Sequence, residues 1–304
     1  TATDDGECTL REAITAANTN AASGSMPGEC AAGEASPTVD TIAFAIPPFD
    51  GTVKTIMPAS AFADVTEPVV IDGYTQDDAH PNTLAAGDDA VLRIVLTGGG
   101  VATINGLTIT GGGSTVRGLV IDGFRGLTSG SGNGISLFNN GGNLIEGNFF
   151  GTDASGTAAV PNEDDAINIE LSSNGNTIGG TAPAARNVIC GSEHTAFFIA
   201  TSGNVVQGNF IGVGSDGVSP LGNQVGVGLV GVGQANDNLI GGTAAGAGNV
   251  IAFNQFSGVA IEAPSGAGNS FLGNSIFSNG ALGINLLGND QPNGVTLNDP
   301  GDGD

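Results

Sequence analysis

The sequence predicts an all-β fold: a parallel β-solenoid with three short strands per turn and one helix closing its N-terminal end. Three observations carry this. Two short units that open on Asn recur along the C-terminal half, each followed by apolar residues. A third unit opens on a small residue and alternates apolar with other residues. The three follow one another in a fixed order with no helical stretch between them. Regular recurrence of this kind marks stacked architectures, in which each repeat buries its apolar face only against its neighbours.

The first unit reads Asn143-Leu-Ile, Asn176-Thr-Ile, Asn204-Val-Val, Asn238-Leu-Ile and Asn269-Ser-Phe. The second reads Asn148-Phe-Phe, Asn187-Val-Ile, Asn209-Phe-Ile, Asn249-Val-Ile and Asn274-Ser-Ile. The third starts at residues 106, 134, 166, 196, 226, 258 and 283, which sets turns of 25 to 32 residues. Period-2 alternation between Gly and Asn corners is a strand signal. Stacked turns lie about 4.8 Å apart, so like residues fall on like. The inward ladders are then Ile145/Ile178/Val206/Ile240/Phe271 and Phe150/Ile189/Ile211/Ile251/Ile276. Asn accounts for 4 of residues 1–130 but 24 of residues 131–304. Stacked at corners, its amide can donate and accept at once, satisfying buried backbone groups. The 53 Gly residues suit corners that need positive φ.

Alternate turns differ. The step from first to second Asn is 5 residues at 143→148, 204→209 and 269→274, but 11 at 176→187 and 238→249. The step from the second unit to the third is 18 or 17 residues at 148→166 and 209→226, but 9 at 187→196 and 249→258. The full repeat is therefore two turns, about 62 residues (176→238, 187→249). Long loops are expected on every second turn, 152–165 and 213–225, walling a groove over the short corner 191–195.

Composition excludes several functions. Thirty acids face six bases, for a net charge of -24. Lys54 and five Arg cannot form the cationic stripe that nucleic acid requires. No apolar run approaches the roughly 20 residues of a membrane span, so membrane insertion is not expected. Residues 7–18 form an amphipathic helical stretch with Leu10, Ile14 and Ala17 on one face, and Thr9 with Glu12 fits a capping box. Such a helix would cover the open end of the solenoid core.

The run Cys8–Ile14 resembles the CSLREA motif of secreted and surface proteins of bacteria, with Thr9 in place of the motif's Ser. Val39-Asp-Thr-Ile-Ala-Phe44, Val70-Ile-Asp-Gly-Tyr-Thr-Gln76, Ser114–Ile121 and Gly-Asn-Phe-Phe-Gly-Thr-Asp (147–153) are similar to that family as well. The resemblance implies a right-handed parallel β-helix of the pectate-lyase-like kind and a secreted or cell-surface location. It carries no defined activity. The chain then divides into a cap region with the first strands (1–66), the β-helix (67–298) and a junction or tail (299–304). Cys8 and Cys30 are either bridged or two buried thiols; a secreted chain favours the bridge. Cys190 stands where other turns have Gly or Ala, as a small packing residue.

One cluster has chemistry. Stacking brings together Asn133, Glu163-Asp164-Asp165 and Glu193-His194 on consecutive turns. Asp164, Asp165 and His194 are the candidate catalytic residues, since paired carboxylates with a nearby His could act as acid and base on a glycosidic bond. Asn133, Glu163, Glu193, Phe198 and Gln224 would line the groove. Asp-Asp-Ala-Ile-Asn-Ile (164–169) resembles the Asp-Asp-Cys-Ile run of polygalacturonases, and His194 lies one turn on, near where those enzymes carry an active-site His. It is one residue out of step, Asn133 stands in place of an acid, and Gln224-Val225 replaces their Arg-Ile-Lys. Lyase chemistry on polyuronates suits the chain less, because it needs a basic side chain and the net charge would repel the substrate. Asp153 and Asp216 are candidate ligands for Ca²⁺, the one cofactor considered. Two functions follow. The main expectation is a non-catalytic extracellular module, structural, adhesive or filament-forming, whose partners would be glycans, surface proteins or further copies of itself. The alternative is a polysaccharide-active enzyme working in the acidic groove.

Overall fold

The computed structural model describes residues 4–35, 37–99, 104–126, 130–231, 234–262 and 265–286. The expected tail at 299–304, and the part of the solenoid expected at 287–298, lie outside the described residues. Three parallel sheets run the length of the molecule, two of eight strands and one of seven. Each turn after the first gives one strand to each sheet, and every strand pairs only with those one turn before and after. This is a parallel β-helix. The first sheet runs from Asp40–Ala43 to Ser270–Leu272, the second from Lys54–Ile56 to Ser275–Phe277, and the third from Leu107–Ile109 to Ile284–Asn285.

Both predicted ladders form in register: Ile145 pairs with Ile178, Val206 with Ile240, Phe150 with Ile189, and Ile211 with Ile251. Their side chains belong to one core that runs from the cap to Val259. Within residues 1–66, Asp40–Ala43 and Lys54–Ile56 are the first strands of the first two sheets. The N-terminal helix α1 (Leu10–Thr19) starts at the capping box of Thr9 and Glu12. It lays Leu10, Ile14 and Ala17 on Ile42 and Phe44 of the first turn, shielding the core end from water. Cys8 and Cys30 form a disulfide with Cα atoms 4.8 Å apart, tying this helix to the following loop.

Corners consist of asparagine. The backbone N–H of Asn143 donates to Oδ1 of Asn176, Asn176 to Asn204, Asn204 to Asn238 and Asn238 to Asn269, at 2.9–3.1 Å. The same relay passes through Asn148, Asn187, Asn209, Asn249 and Asn274. Each Nδ2 also donates to the next Oδ1. A third relay turns the corner between the second and third sheets, through Asn223, Asn254 and Asn279. Sequence spacing contains it: Asn249→Asn254 and Asn274→Asn279 are 5 residues apart, Asn148→Asn162 and Asn209→Asn223 are 14 apart.

The long loops do not wall a groove. They fold back over the outer face of the second sheet, where Val120, Phe149, Val188 and Phe210 form a separate buried cluster. The reason is the apolar residues on that outer face, which would otherwise meet water. Gly156, at positive φ, sits on the Phe149 ring, and Gly217 sits on Phe210; an added Cβ would lie 2.9 Å from either ring. The loops also meet each other, with Ser215 N–H donating to Gly156 O at 2.9 Å. Arg186 stacks 4.3 Å over Phe210 and donates to the carbonyls of Leu84, Ala85 and Gly87, strapping loop 82–89 to the same face.

Asn187→Ala removes acceptor and donor from four hydrogen bonds, leaving Asn148 N–H buried without a partner. It should cost about 2–4 kcal/mol in denaturant unfolding, since each orphaned buried group costs about 1–3. Asn174→Ala, on the surface, should stay within about 1 kcal/mol. Equal effects would refute the ladder as the main polar support.

Candidate functional site

Asp165, Asp164 and His194 come together at the corner that leads into the third sheet. Asp165 lies two residues before the strand Ile167–Ile169, and His194 immediately precedes the strand Thr195–Ile199 one turn on. His194 Nδ1 lies 2.8 Å from Oδ1 of Asp165 and 3.5 Å from Oδ1 of Asp164. The Asp165 side chain is 2% exposed and that of His194 48%, so a buried carboxylate grips the inner edge of an imidazole whose outer edge meets solvent.

A column of polar residues precedes the third sheet and places Asp165. Asn105 Oδ1 accepts from Asn133 N–H, Asn133 Oδ1 from Asp165 N–H, and Asp165 Oδ1 from Thr195 N–H. The direction is opposite to the asparagine relays: here each side chain receives the amide of the turn after it. Asp165 thus holds an asparagine's place in a ladder. Its Oδ1 also accepts from Thr195 Oγ1 and His194 Nδ1, and its Oδ2 from Asn168 Nδ2 at 3.1 Å. Four donors on one buried carboxylate offset the cost of taking the charge out of water. Since an ionised carboxylate only accepts, Nδ1 of His194 carries the proton, and Nε2 is left as the outward-facing nitrogen.

The electrostatics follow. The hydrogen bond that His194 donates to Asp165, opposed by partial burial and reinforced by the charges of Asp165 and Asp164, raises the His194 pKa above its ordinary 6.5. Asp164 is itself raised, first by burial and then by the charge of Asp165, against a hydrogen bond from Gly130 N–H. A raised imidazole pKa stabilises the fold fully below the ordinary value. That contribution is lost as pH climbs through the raised one.

The other expected residues are placed as follows. Asn133 does not line a groove: it is fully buried, donating to Ser136 Oγ and Gly130 O and accepting from Asp165 N–H. Glu163 accepts from Gly126 N–H. Phe198 stands half-buried on the outer face of the third sheet, between Asn168 and Gly228. Glu193 and Gln224 line an open polar depression of about 520 Å³ with Gly191, Ser192, Gly222, Asn223, Phe253 and Gln255. Asp153 and Asp216 are not laid out as cation ligands. Asp153 Oδ1 accepts from Thr157 and Ala158 N–H, and Asp216 Oδ1 from Val218 and Ser219 N–H, so each carboxylate ties off its own loop.

Among the described residues, Asp164, Asp165 and His194 form the group whose ligand atoms, all within 4.8 Å of one another, could hold a metal ion. A cation between them would have to displace the proton shared by Nδ1 and Asp165. Asp164 and Asp165 do not form a two-carboxylate acid–base pair, because the Asp165 carboxylate is buried and committed to four donors. Asp165 has no free lone pair facing solvent. The residues that sequence reasoning passed over are Thr195 and Asn168, which fix Asp165, and Ser192, which stands 5 after Asn187 where the third relay calls for Asn. Its Oγ is buried without a partner.

No family model matches this chain, and no curated protein does. Among solved structures, the crystal structure of an alginate lyase from Paenibacillus sp. str. FPU-7 is similar at 18% identity, with 80% of this chain and 97% of that chain covered and a TM-score of 0.26. At that level it transfers no residue role.

Asp165→Asn should leave the fold intact. The unpaired Oδ1 of Asn168 can turn to accept from the introduced amide, as the other ladder positions do. The His194 titration, followed by NMR of the imbedded ring, should shift to lower pH in this variant. Asp165→Ala should instead lose about 3–5 kcal/mol, because it orphans several buried donors. An unchanged titration in Asp165→Asn would dismiss the pair as electrostatically coupled.

Proposed function

We propose that this chain is a polysaccharide-active β-helix that hydrolyses glycosidic bonds, with His194 as the proton-transferring residue and Asp165 as its positioning residue. One observation carries the reading. A carboxylate occupies a buried ladder position where an amide would satisfy the backbone, and its extra acceptor capacity is spent on an exposed imidazole. A buried charge is costly, and here its effect is to fix the tautomer and raise the basicity of His194. The reaction starts from the imidazolium form of His194, protonated at Nδ1 and Nε2: the glycosidic C–O bond breaks, the leaving oxygen takes the Nε2 proton, and water supplies hydroxide to the anomeric carbon. The proton released by water returns to the Asp164–His194 pair. General acid–base groups of this kind contribute about 10²–10⁴-fold to rate.

The disulfide supports an extracellular setting, since such bridges persist in oxidising compartments. No helix of the described residues is long and apolar enough to cross a membrane. The reading as a non-catalytic structural or adhesive module rests on the regular stack, the scarcity of catalytic residues and the interaction-prone ends of a solenoid, and none of these has a use for the Asp165 charge.

Reducing-end release from a panel of neutral and acidic polysaccharides tests the proposal. At least one neutral polymer should be cut, with the rate falling about 100-fold or more in His194→Ala. Cleavage that survives this substitution would remove His194 from the chemistry, and no cleavage of any polymer would return the chain to the non-catalytic reading.

A further inference from the structure

The depression beside His194 has an arrangement not used by the proton chemistry. Glu193, Gln224 and Gln255 occupy one column on three successive turns, held by Gln224 N–H donating to Ser192 O at 3.0 Å and Gln255 N–H donating to Asn223 O at 2.8 Å. All three face the same depression. In the neighbouring asparagine relays nearly every amide is engaged. These three side chains make no hydrogen bond or ion pair among the described residues. They form a row of donors and acceptors about 4.8 Å apart along the solenoid axis, open to solvent.

The rim of the depression carries an aromatic ring held at a cost. Short turns pass this corner through one residue in the left-handed region: Gly123 at φ 65°, Gly191 at 67°, Phe253 at 58° and Ser278 at 51°. Gly fits there without strain, whereas a large L-residue is disfavoured by about 1–2 kcal/mol. Phe253 lines the depression, its side chain half-buried at the edge of the second-sheet cluster and braced edge-on by Phe277 with ring centroids 5.7 Å apart. The lining holds one acid and no cation, so it has no complement for an anionic ligand.

We propose that Glu193, Gln224, Gln255 and Phe253 form a subsite for a neutral oligosaccharide lying along the solenoid axis, one end of it at His194. The amides and the carboxylate bond sugar hydroxyls on successive turns, and the Phe253 ring takes the apolar face of one sugar. This deepens the proposed glycan-cleaving function and rests on it for the choice of ligand class.

The test is calorimetric binding to the His194→Ala protein, so that the probe survives. The probes are neutral hexasaccharides of β-glucan, xylan and mannan, with polygalacturonate and alginate hexasaccharides as acidic controls. One neutral probe should bind and the acidic ones should not. Phe253→Gly should weaken that binding about tenfold in protein shown by circular dichroism to be folded. Gln255→Ala, a surface change, should weaken it several-fold with an unaltered thermal midpoint. No binding by any neutral probe, tighter binding of an acidic one, or affinity unchanged from the His194→Ala parent in both variants would overturn the subsite. The two proposals fail separately. A neutral probe that binds at Phe253 and Gln255 but is never cleaved by the unsubstituted chain removes the catalytic reading and keeps the subsite. Cleavage with KM unchanged in both variants removes the subsite and keeps catalysis.

Discussion

Everything in this molecule depends on one hydrogen bond repeated turn after turn: a backbone N–H at a corner donating to the side-chain oxygen of the asparagine one turn further on. A tight corner breaks the strand ladder and leaves amides that are out of reach of both water and the next strand. Asparagine is a side-chain copy of the peptide group, so it replaces the missing partner and passes its own Nδ2 onward. With corners settled in this way, the strands between them need only be two to five residues long. The core needs only stacked Ile, Val, Leu and Phe.

The site is made from departures from that rule. At the entry to the third sheet the column runs backwards, with side chains accepting from the following turn, and there an aspartate replaces an asparagine. The backbone notices little, because the accepting oxygen is the same. What changes is that a second oxygen and a full charge become available, which Asn168, Thr195 and His194 absorb. One turn on, Ser192 replaces asparagine in the relay beside it. A rigid stack so holds the imidazole at a corner it would have built anyway.

The repeats made the fold readable because a solenoid writes its three-dimensional neighbours into the sequence at a fixed interval. Ile145 and Ile178 could be paired on paper for that reason, as could Asp165 and His194. The long loops were harder. Their tips carry the same Gly, Ser and Asp that a solvent-exposed turn would, and the deciding residues, Phe149 and Phe210, sit in strands as apolar neighbours of inward Phe150 and Ile211. A two-residue strand that is apolar on both faces carries no alternation to show that something must cover its outside. Phe253 was hidden for another reason: nothing in a residue's type announces a positive φ, and Gly191 at the equivalent corner is 62 positions away. Asp153 and Asp216 had the composition of cation ligands, but loop backbone competes for carboxylates at short range and won.

The meeting of loop 152–161 with loop 213–222 has a consequence for how the molecule comes apart. A simple solenoid behaves as a one-dimensional chain in which each repeat feels only its nearest neighbours, so its ends can peel away turn by turn. Here Ser215 touches Gly156 across an intervening turn, and Gly246 packs against Thr181 in the same way at the other corner. Coupling therefore reaches two turns in the repeating part, and further where Arg186 holds loop 82–89; the intervening turns are clamped from both sides, and partly unzipped forms lose more than one set of contacts for every turn released. That longer range favours all-or-none unfolding over fraying, and makes the pair of turns, rather than the single turn, the smallest piece that can be removed or duplicated without leaving a loop with nothing to rest on.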